Sequence, residues 1–333
     1  MERIGIVGAG AWGTALALAL SRAGQRALIW AHEPETVEAI NRRHENPLFL
    51  PGIALDPALE ATGDLARTAA CGIVLLATPA QHLRATATAL APALDAATPL
   101  VICAKGIEEG TGALMSEVVA ASLPRNAIAV LSGPTFAGEV ARGLPTAITL
   151  AAPDAALGRR LAQSIGSKTF RPYVSDDVPG AQVGGAIKNV VAIACGIVVG
   201  RKLGDNARAA LITRGLAEMV RLALAKGGRA ETLMGLSGLG DLTLTANGLQ
   251  SRNHSLGVAL GQGESLQAIL AARRSVAEGV SSARAAAALA SRLQVEMPIV
   301  AAVDAILHRG APIDTVIEEL LSRPLRAETA ITP

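Results

Sequence analysis

Ile4-Gly5-Ile6-Val7-Gly8-Ala9-Gly10-Ala11-Trp12-Gly13-Thr14-Ala15-Leu16-Ala17 is the stretch that decides the fold. Its first four residues read as a buried strand, and the Ala/Leu run Ala11–Ala23 reads as a helix. Between them lies G-x-G-x-x-G at a strand-to-helix junction. Gly8 permits the tight turn, Gly10 lets backbone approach a pyrophosphate, and Gly13 allows close helix–strand contact. The N–H groups that open the helix face the anion. The pattern therefore predicts a dinucleotide site at the first βα junction of a doubly wound α/β domain.

Working outward, the same alternation continues. Arg26–Trp30, Ile73–Ala77, Leu100–Ala104, Ala127–Leu131 and Thr146–Leu150 read as strands, with a helical segment over Leu83–Leu94 that Pro92 weakens. Short apolar strands separated by helices predict a parallel sheet. After about residue 180 the strand signal stops. Gln182–Val199, Ala207–Lys226, Ser265–Ala272, Ser282–Leu293 and Ile299–His308 have helical spacing, punctuated by Gly, Pro and Asn/Asp clusters. The expectation is a Rossmann-like domain over 1–180 that binds NAD(P) and an all-α substrate domain over 181–333, with the active site in the cleft between them.

Composition agrees with two domains of that kind. The 333 residues exceed the roughly 250–300 at which single cores stop growing. Half the residues are apolar, yet only three Phe, two Trp and one Tyr are present, so Ala, Val, Leu and Ile must build the cores. The net charge of +2 comes from scattered residues, which argues against a nucleic-acid or membrane-surface partner. Cys71, Cys103 and Cys195 are odd in number and far apart, so no structural disulfide is expected and a reducing compartment fits. No signal peptide precedes the first strand, which makes the cytoplasm the expected location. The charge-free apolar stretch Val190–Gly200 is shorter than the ~18–20 residues of a membrane span and reads as a buried helix.

Several chemistries lack their residues. There is no Gly-Lys dipeptide for a P-loop, no Cys-x-x-Cys, and no pair of His at i, i+4, so a metal site has no visible ligands. Asp177 follows the single tyrosine, Tyr173, by four residues, which removes a Tyr-x-x-x-Lys pair. Gly235-Leu236-Ser237-Gly238 has the wrong spacing for a nucleophile elbow.

Lysines remain as acid/base candidates. Lys105 follows the strand Val101–Ala104, at the sheet edge where open α/β folds bind ligands. Lys188 sits in Gly184-Gly185-Ala186-Ile187-Lys188-Asn189-Val190-Val191, a helix apolar on nearly every side. Burial there favours the neutral amine and lowers the pKa from about 10.4 toward the ~7–8 suited to proton transfer; the other reading is a lysine that snorkels out. Asp241, in Gly238-Leu239-Gly240-Asp241-Leu242, is either a partner for that ammonium or a helix cap. Gln250-Ser251-Arg252-Asn253-His254 offers a guanidinium and short polar donors for a phosphate. At the end of the second strand, His32 with Glu33 beside it leaves NAD and NADP both open: His32 stacks on adenine, meets a 2′-phosphate, or is a solvated loop residue.

Taken in order, these segments resemble NAD(P)-dependent glycerol-3-phosphate dehydrogenases of the bacterial type. The resemblance also includes Phe49-Leu50-Pro51, Ala104-Lys105-Gly106, Ser132-Gly133-Pro134-Thr135-Phe136-Ala137, Gly143-Leu144-Pro145-Thr146-Ala147, Asn206–Gly215 and Ser251-Arg252-Asn253, and it covers almost the whole chain. It implies interconversion of dihydroxyacetone phosphate and sn-glycerol 3-phosphate with NAD(P), for phospholipid synthesis, by a cytoplasmic homodimer without a metal. It implies Lys188 as general acid/base, Lys105 as the group that holds and polarises substrate, and Asp241, Thr245 and Asn189 as groups that orient the lysines. Gly133, Thr135, Lys188, Asn189, Asp241, Ser251, Arg252 and Asn253 are the implied substrate contacts, with Lys105. The implied cofactor contacts are Gly8, Gly10, Ala11, Trp12, Gly13, His32, Phe49, Lys105, Ala137, Arg252, Val276 and Glu278. Two alternatives stand beside it: a 6-phosphogluconate-like or hydroxyacid dehydrogenase on the same architecture, and a non-catalytic dinucleotide sensor.

Overall fold

The computed structural model describes residues 3–248, 250–272 and 277–324. The chain divides into two compact units. Of the described residues, the first contains those up to Ala104 and Met115–Val178, the second Lys105–Leu114 and those from Pro179 onward.

The first unit is a sheet with helices between its strands. In chain order it runs β1 (Ile4–Val7), α1 (Ala11–Arg22), β2 (Ala27–Trp30), α2 (Pro34–Glu38), β3 (Glu45–Asn46), β4 (Leu50–Ala54), β5 (Glu60–Thr62), α3 (Leu65–Ala69), β6 (Ile73–Leu76), α4 (Leu83–Leu90), β7 (Leu100–Ile102), α5 (Met115–Ser122), β8 (Ile128–Ser132), α6 (Ala137–Ala141), β9 (Thr146–Ala151), α7 (Ala155–Ile165) and β10 (Phe170–Ser175). Eight strands form one sheet in the order β10-β9-β8-β7-β6-β1-β2-β5, and β3 pairs with β4 as a separate antiparallel ribbon. From β1 the chain moves outward to β2 and β5, then returns to β6 on the other side of β1. The carboxyl end of β1 is thus the switch point where such sheets open a crevice for ligand. The Gly8–Gly13 turn occupies it.

The sheet is not wholly parallel. β9 pairs antiparallel to β8, and β10 parallel to β9, so these two strands run against the other six. The residues Ile148, Leu150 and Ala151 are buried, as are Ala129, Val130 and Leu131 of β8, and a strand covered on both faces has the same apolar sequence in either direction. The core of this unit is mainly Ile, Leu, Val and Ala, with the Phe170 ring buried in it and Trp12 packed against it.

The second unit is helical: α8 (Val178–Gly200), α9 (Asp205–Ala225), α10 (Ala230–Leu233), α11 (Asp241–Asn247), α12 (Arg252–Gly261), α13 (Leu266–Ala271), α14 (Glu278–Arg292), α15 (Pro298–His308) and α16 (Ile313–Leu321). The excursion Lys105–Leu114 joins it because Ile107 and Leu114, bridged to each other, are both buried in its apolar core. A boundary at 180/181 therefore differs by two residues from the break after Val178 and does not register the excursion.

The helix at the centre, α8, is longer than its charge-free stretch suggested. At 23 residues it is long and apolar enough to cross a membrane, yet 89% of its most apolar window is buried inside the protein. The three cysteines are buried and free. Glu218 of α9 is also buried, and both of its carboxylate oxygens accept backbone N–H groups at the start of α15, from Ile299 at 2.7 Å and Val300 at 3.1 Å. The carboxyl serves as a tertiary cap for a helix whose own flanking residue, Met297, offers none.

Candidate active site

In the first unit the glycine turn is shaped by steric necessity. Gly8 has φ +117°, and a Cβ on Gly13 would lie 1.9 Å from the Gly8 carbonyl oxygen. Only glycine permits that closure. The N-terminus of α1 has no side-chain cap and no acidic residue in its first turn. A Cβ at Gly10 would meet nothing within 4 Å, so the helix N-terminus opens onto free space. An uncapped, uncharged helix start facing open space fits a dinucleotide pyrophosphate.

The other expected cofactor contacts in this unit lie around the carboxyl edge of the sheet. His32 follows β2, is exposed, and sits with its ring 6.1 Å from that of Trp30. Trp12 packs against Phe170 with ring centroids 6.5 Å apart. Phe49 lies between β3 and β4, and Ala137 opens α6. Gly133 and Thr135, expected as substrate contacts, follow β8, where the Thr135 hydroxyl donates to the Gly133 carbonyl at 3.1 Å.

In the second unit Lys105, Lys188 and Asp241 come together. Lys188 Nζ donates to Asp241 Oδ1 at 2.5 Å and to Thr245 Oγ1 at 2.9 Å. Lys105 Nζ donates to the other oxygen, Oδ2, at 2.7 Å. Thr245 lies one helical turn beyond Asp241 on α11, and its hydroxyl also bonds the Asp241 carbonyl at 2.7 Å. Asp241 is fully buried and Lys188 is 7% exposed. The acid reaches the lysine because α8 has a glycine one turn earlier. A Cβ on Gly184 would lie 2.2 Å from the Ser237 carbonyl oxygen, in the turn that leads into α11.

Two ammoniums on one carboxylate leave the cluster a positive charge in excess. Burial pushes the Lys188 ammonium down to about 8; Asp241 opposes that shift and Lys105 adds to it. The snorkelling alternative for Lys188 is excluded by this burial, and Asp241 is the ion-pair partner rather than a side-chain cap of α11.

The remaining expected contacts form a second group. Asn189 bonds the Gly185 carbonyl and accepts from Asn253 Nδ2 at 2.9 Å, so it braces Asn253 rather than either lysine. Asn253 Oδ1 in turn accepts the Gly279 N–H at 3.0 Å. Ser251 caps α12 by accepting the His254 N–H at 3.2 Å, so the polar run Ser251–His254 is the start of a helix. Burial lowers the Arg252 guanidinium pKa, and Glu278 at the start of α14 raises it. Val276 lies outside the described residues.

Comparison with known proteins decides among the dehydrogenase readings. The description of NAD-dependent glycerol-3-phosphate dehydrogenase N-terminus matches residues 3–158, and that of its C-terminus residues 177–318. A glycerol-3-phosphate dehydrogenase [NAD(P)+] of Rhodospirillum rubrum is 58% identical over 329 residues, covering 98% of this chain and 94% of the relative. The chain belongs to the NAD-dependent glycerol-3-phosphate dehydrogenase family. A second member, from Parvibaculum lavamentivorans, is 56% identical with 98% of each chain covered. The crystal structure of glycerol-3-phosphate dehydrogenase from Coxiella burnetii superposes with a TM-score of 0.93 at 40% identity, covering 97% of this chain and 99% of that one. Family membership sets aside the dinucleotide sensor and the other dehydrogenases as readings of this chain.

Proposed function

We propose that this chain interconverts dihydroxyacetone phosphate and sn-glycerol 3-phosphate, using NAD(P)H or NAD(P)⁺ and Lys188 as proton donor and acceptor. The observation that carries the reading is the buried Lys188 ammonium, poised at about 8 and held by Asp241 and Thr245. A group that titrates near working pH both gives and takes a proton without a large penalty. A dinucleotide held at the Gly8–Gly13 turn supplies or accepts the hydride at C2.

In the reductive direction Lys188 Nζ gives its proton to the C2 oxygen, completing a secondary alcohol from the ketone, a hydride and a proton. Lys105, on the far oxygen of Asp241, contributes a second positive charge that favours negative charge on the C2 oxygen as it develops. Asp241 keeps the two ammoniums from repelling each other apart. Arg252, with Asn253, Ser251, Gly133 and Thr135, is proposed to hold the substrate, the guanidinium matching a phosphate in a bidentate way. Ala11, Trp12, His32, Phe49, Ala137, Arg252 and Glu278 are proposed cofactor contacts alongside the glycines.

A cytoplasmic homodimer that supplies glycerol 3-phosphate for phospholipid synthesis follows from the same family resemblance. Three buried, free thiols support the reducing compartment. The test is turnover of dihydroxyacetone phosphate, read as loss of reduced-nicotinamide absorbance with NADPH and NADH side by side. Failure to reduce it while an oxoacid is reduced would overturn the proposal.

A further inference from the structure

We infer that Asn46 is a positioning residue for the dinucleotide, bracing the glycine turn from behind and tying it to the loop that carries Phe49. The inference rests on the reading of Gly8–Gly13 as the dinucleotide's seat. Asn46 is 1% exposed, on the two-residue strand β3. Its Nδ2 donates both hydrogens, to the Ala9 carbonyl at 2.8 Å and to Thr14 Oγ1 at 2.9 Å. Its Oδ1 accepts the Phe49 N–H at 3.2 Å. Thr14 closes the set by donating to the same Ala9 carbonyl at 3.2 Å.

The assignment of the amide is chemically fixed. A flipped amide would set Oδ1 against the Ala9 carbonyl and the NH₂ against the Phe49 N–H, losing the bonds on both sides. One buried side chain thus meets three groups of the turn and the loop, with both of its amide hydrogens donated and its oxygen accepting one N–H.

The consequence for ligand binding follows from peptide geometry. The Ala9 carbonyl and the Gly10 N–H belong to one planar trans peptide and point in opposite directions. Holding the carbonyl toward Asn46 aims the Gly10 N–H the other way, at the mouth of α1. Among the described residues, a Cβ at Gly10 would meet nothing within 4 Å, so no side chain braces the turn at that point. Asn46 supplies a brace from behind, and the same amide sets the Phe49 backbone relative to the turn. No motif spacing marks the residue: in Glu45-Asn46-Pro47 it reads as an ordinary turn asparagine.

Calorimetric titration of NADPH into the parent chain, Asn46→Ala and Thr14→Val tests this directly, with turnover measured in parallel. The dinucleotide Kd is expected to rise about tenfold in Asn46→Ala and about threefold in Thr14→Val, while the KM for dihydroxyacetone phosphate stays within about twofold. A merely structural role lowers the melting temperature and leaves the Kd of the folded protein unchanged. If Asn46→Ala does not fold, Thr14→Val decides, since it removes one recipient of the amide and keeps the shape of the side chain. Variant Kd values within about twofold of the parent, with the parent binding well, remove the inference alone. Failure of the parent to bind removes the reading of the turn and the inference with it.

Discussion

Lys188 and Asp241 form a buried ion pair, Nζ to Oδ1 at 2.5 Å, in which the carboxylate is fully enclosed. A charge pair in that setting is costly to build, and a proton to deliver is a reason to keep one. Lys188→Ala is expected to lower the turnover rate at least ~10²-fold while the NADPH Kd, measured by titration, stays nearly unchanged. A variant within about threefold of the parent rate would take the proton-transfer role away from Lys188.

The pH dependence has opposite signs in the two directions. Reduction needs the ammonium, so its rate falls as pH rises through about 8; oxidation needs the free amine, so its rate rises through the same range. Rate profiles in both directions, with either cofactor saturating, check this. Two profiles that break together in the same sense would assign the ionisation elsewhere.

Asp241→Asn leaves two ammoniums facing a neutral amide. Removing one partner of a buried pair costs about 3–5 kcal/mol, which denaturant unfolding would read as a lower midpoint. Asp241 also holds the Lys188 ammonium up against burial, so its loss should move the break in the reductive profile to lower pH.

Arg252→Ala is expected to act on substrate capture. A charge-assisted contact to phosphate is worth about 1.5–3 kcal/mol, so the KM for dihydroxyacetone phosphate should rise by about tenfold or more. An unchanged KM would contradict the phosphate assignment.

Glu218 gives a prediction remote from the chemistry. Burial raises its carboxyl to about 7 from 4.5, against two backbone N–H bonds that lower it. The folded state then binds more protons than the unfolded state between those values, so the stability present below about 4.5 is lost as pH rises toward 7. Glu218→Gln lacks this dependence and loses one acceptor at the start of α15. Its melting temperature should lie below the parent's near pH 5, with the gap closing toward pH 7.5; a constant gap would count against the shift.

Much of this was legible in the sequence because periodicity and glycine placement are local. Ile4–Val7, the Gly8–Gly13 turn and α1 follow from adjacent residues, and so does the loss of strand pattern after residue 180. Strand direction is not local. β9 reads as one more buried strand, and only its pairing reveals that it opposes β8. β10 gives no strand signal because Arg171, Pro172 and Tyr173 interrupt any alternation on a strand that has a neighbour on one side alone. In the site, Lys188 stood out as a charge in an apolar helix. That Lys105 takes the second oxygen of Asp241 depends on residues 136 apart in sequence meeting, which no spacing rule encodes. The cap at Ser251 is local, but the polar run Gln250–His254 carries no apolar periodicity to mark the helix it begins.

Because Lys105–Leu114 packs with the helices rather than with the sheet that precedes and follows it, the gene cannot be split cleanly at the later boundary. A clone beginning at Pro179 would encode a helical fragment stripped of one of its two site ammoniums and of the Ile107 and Leu114 side chains that fill its interior. Dissecting the protein into halves would therefore call for a rearranged reading frame that carries the ten-residue insert along with the helices.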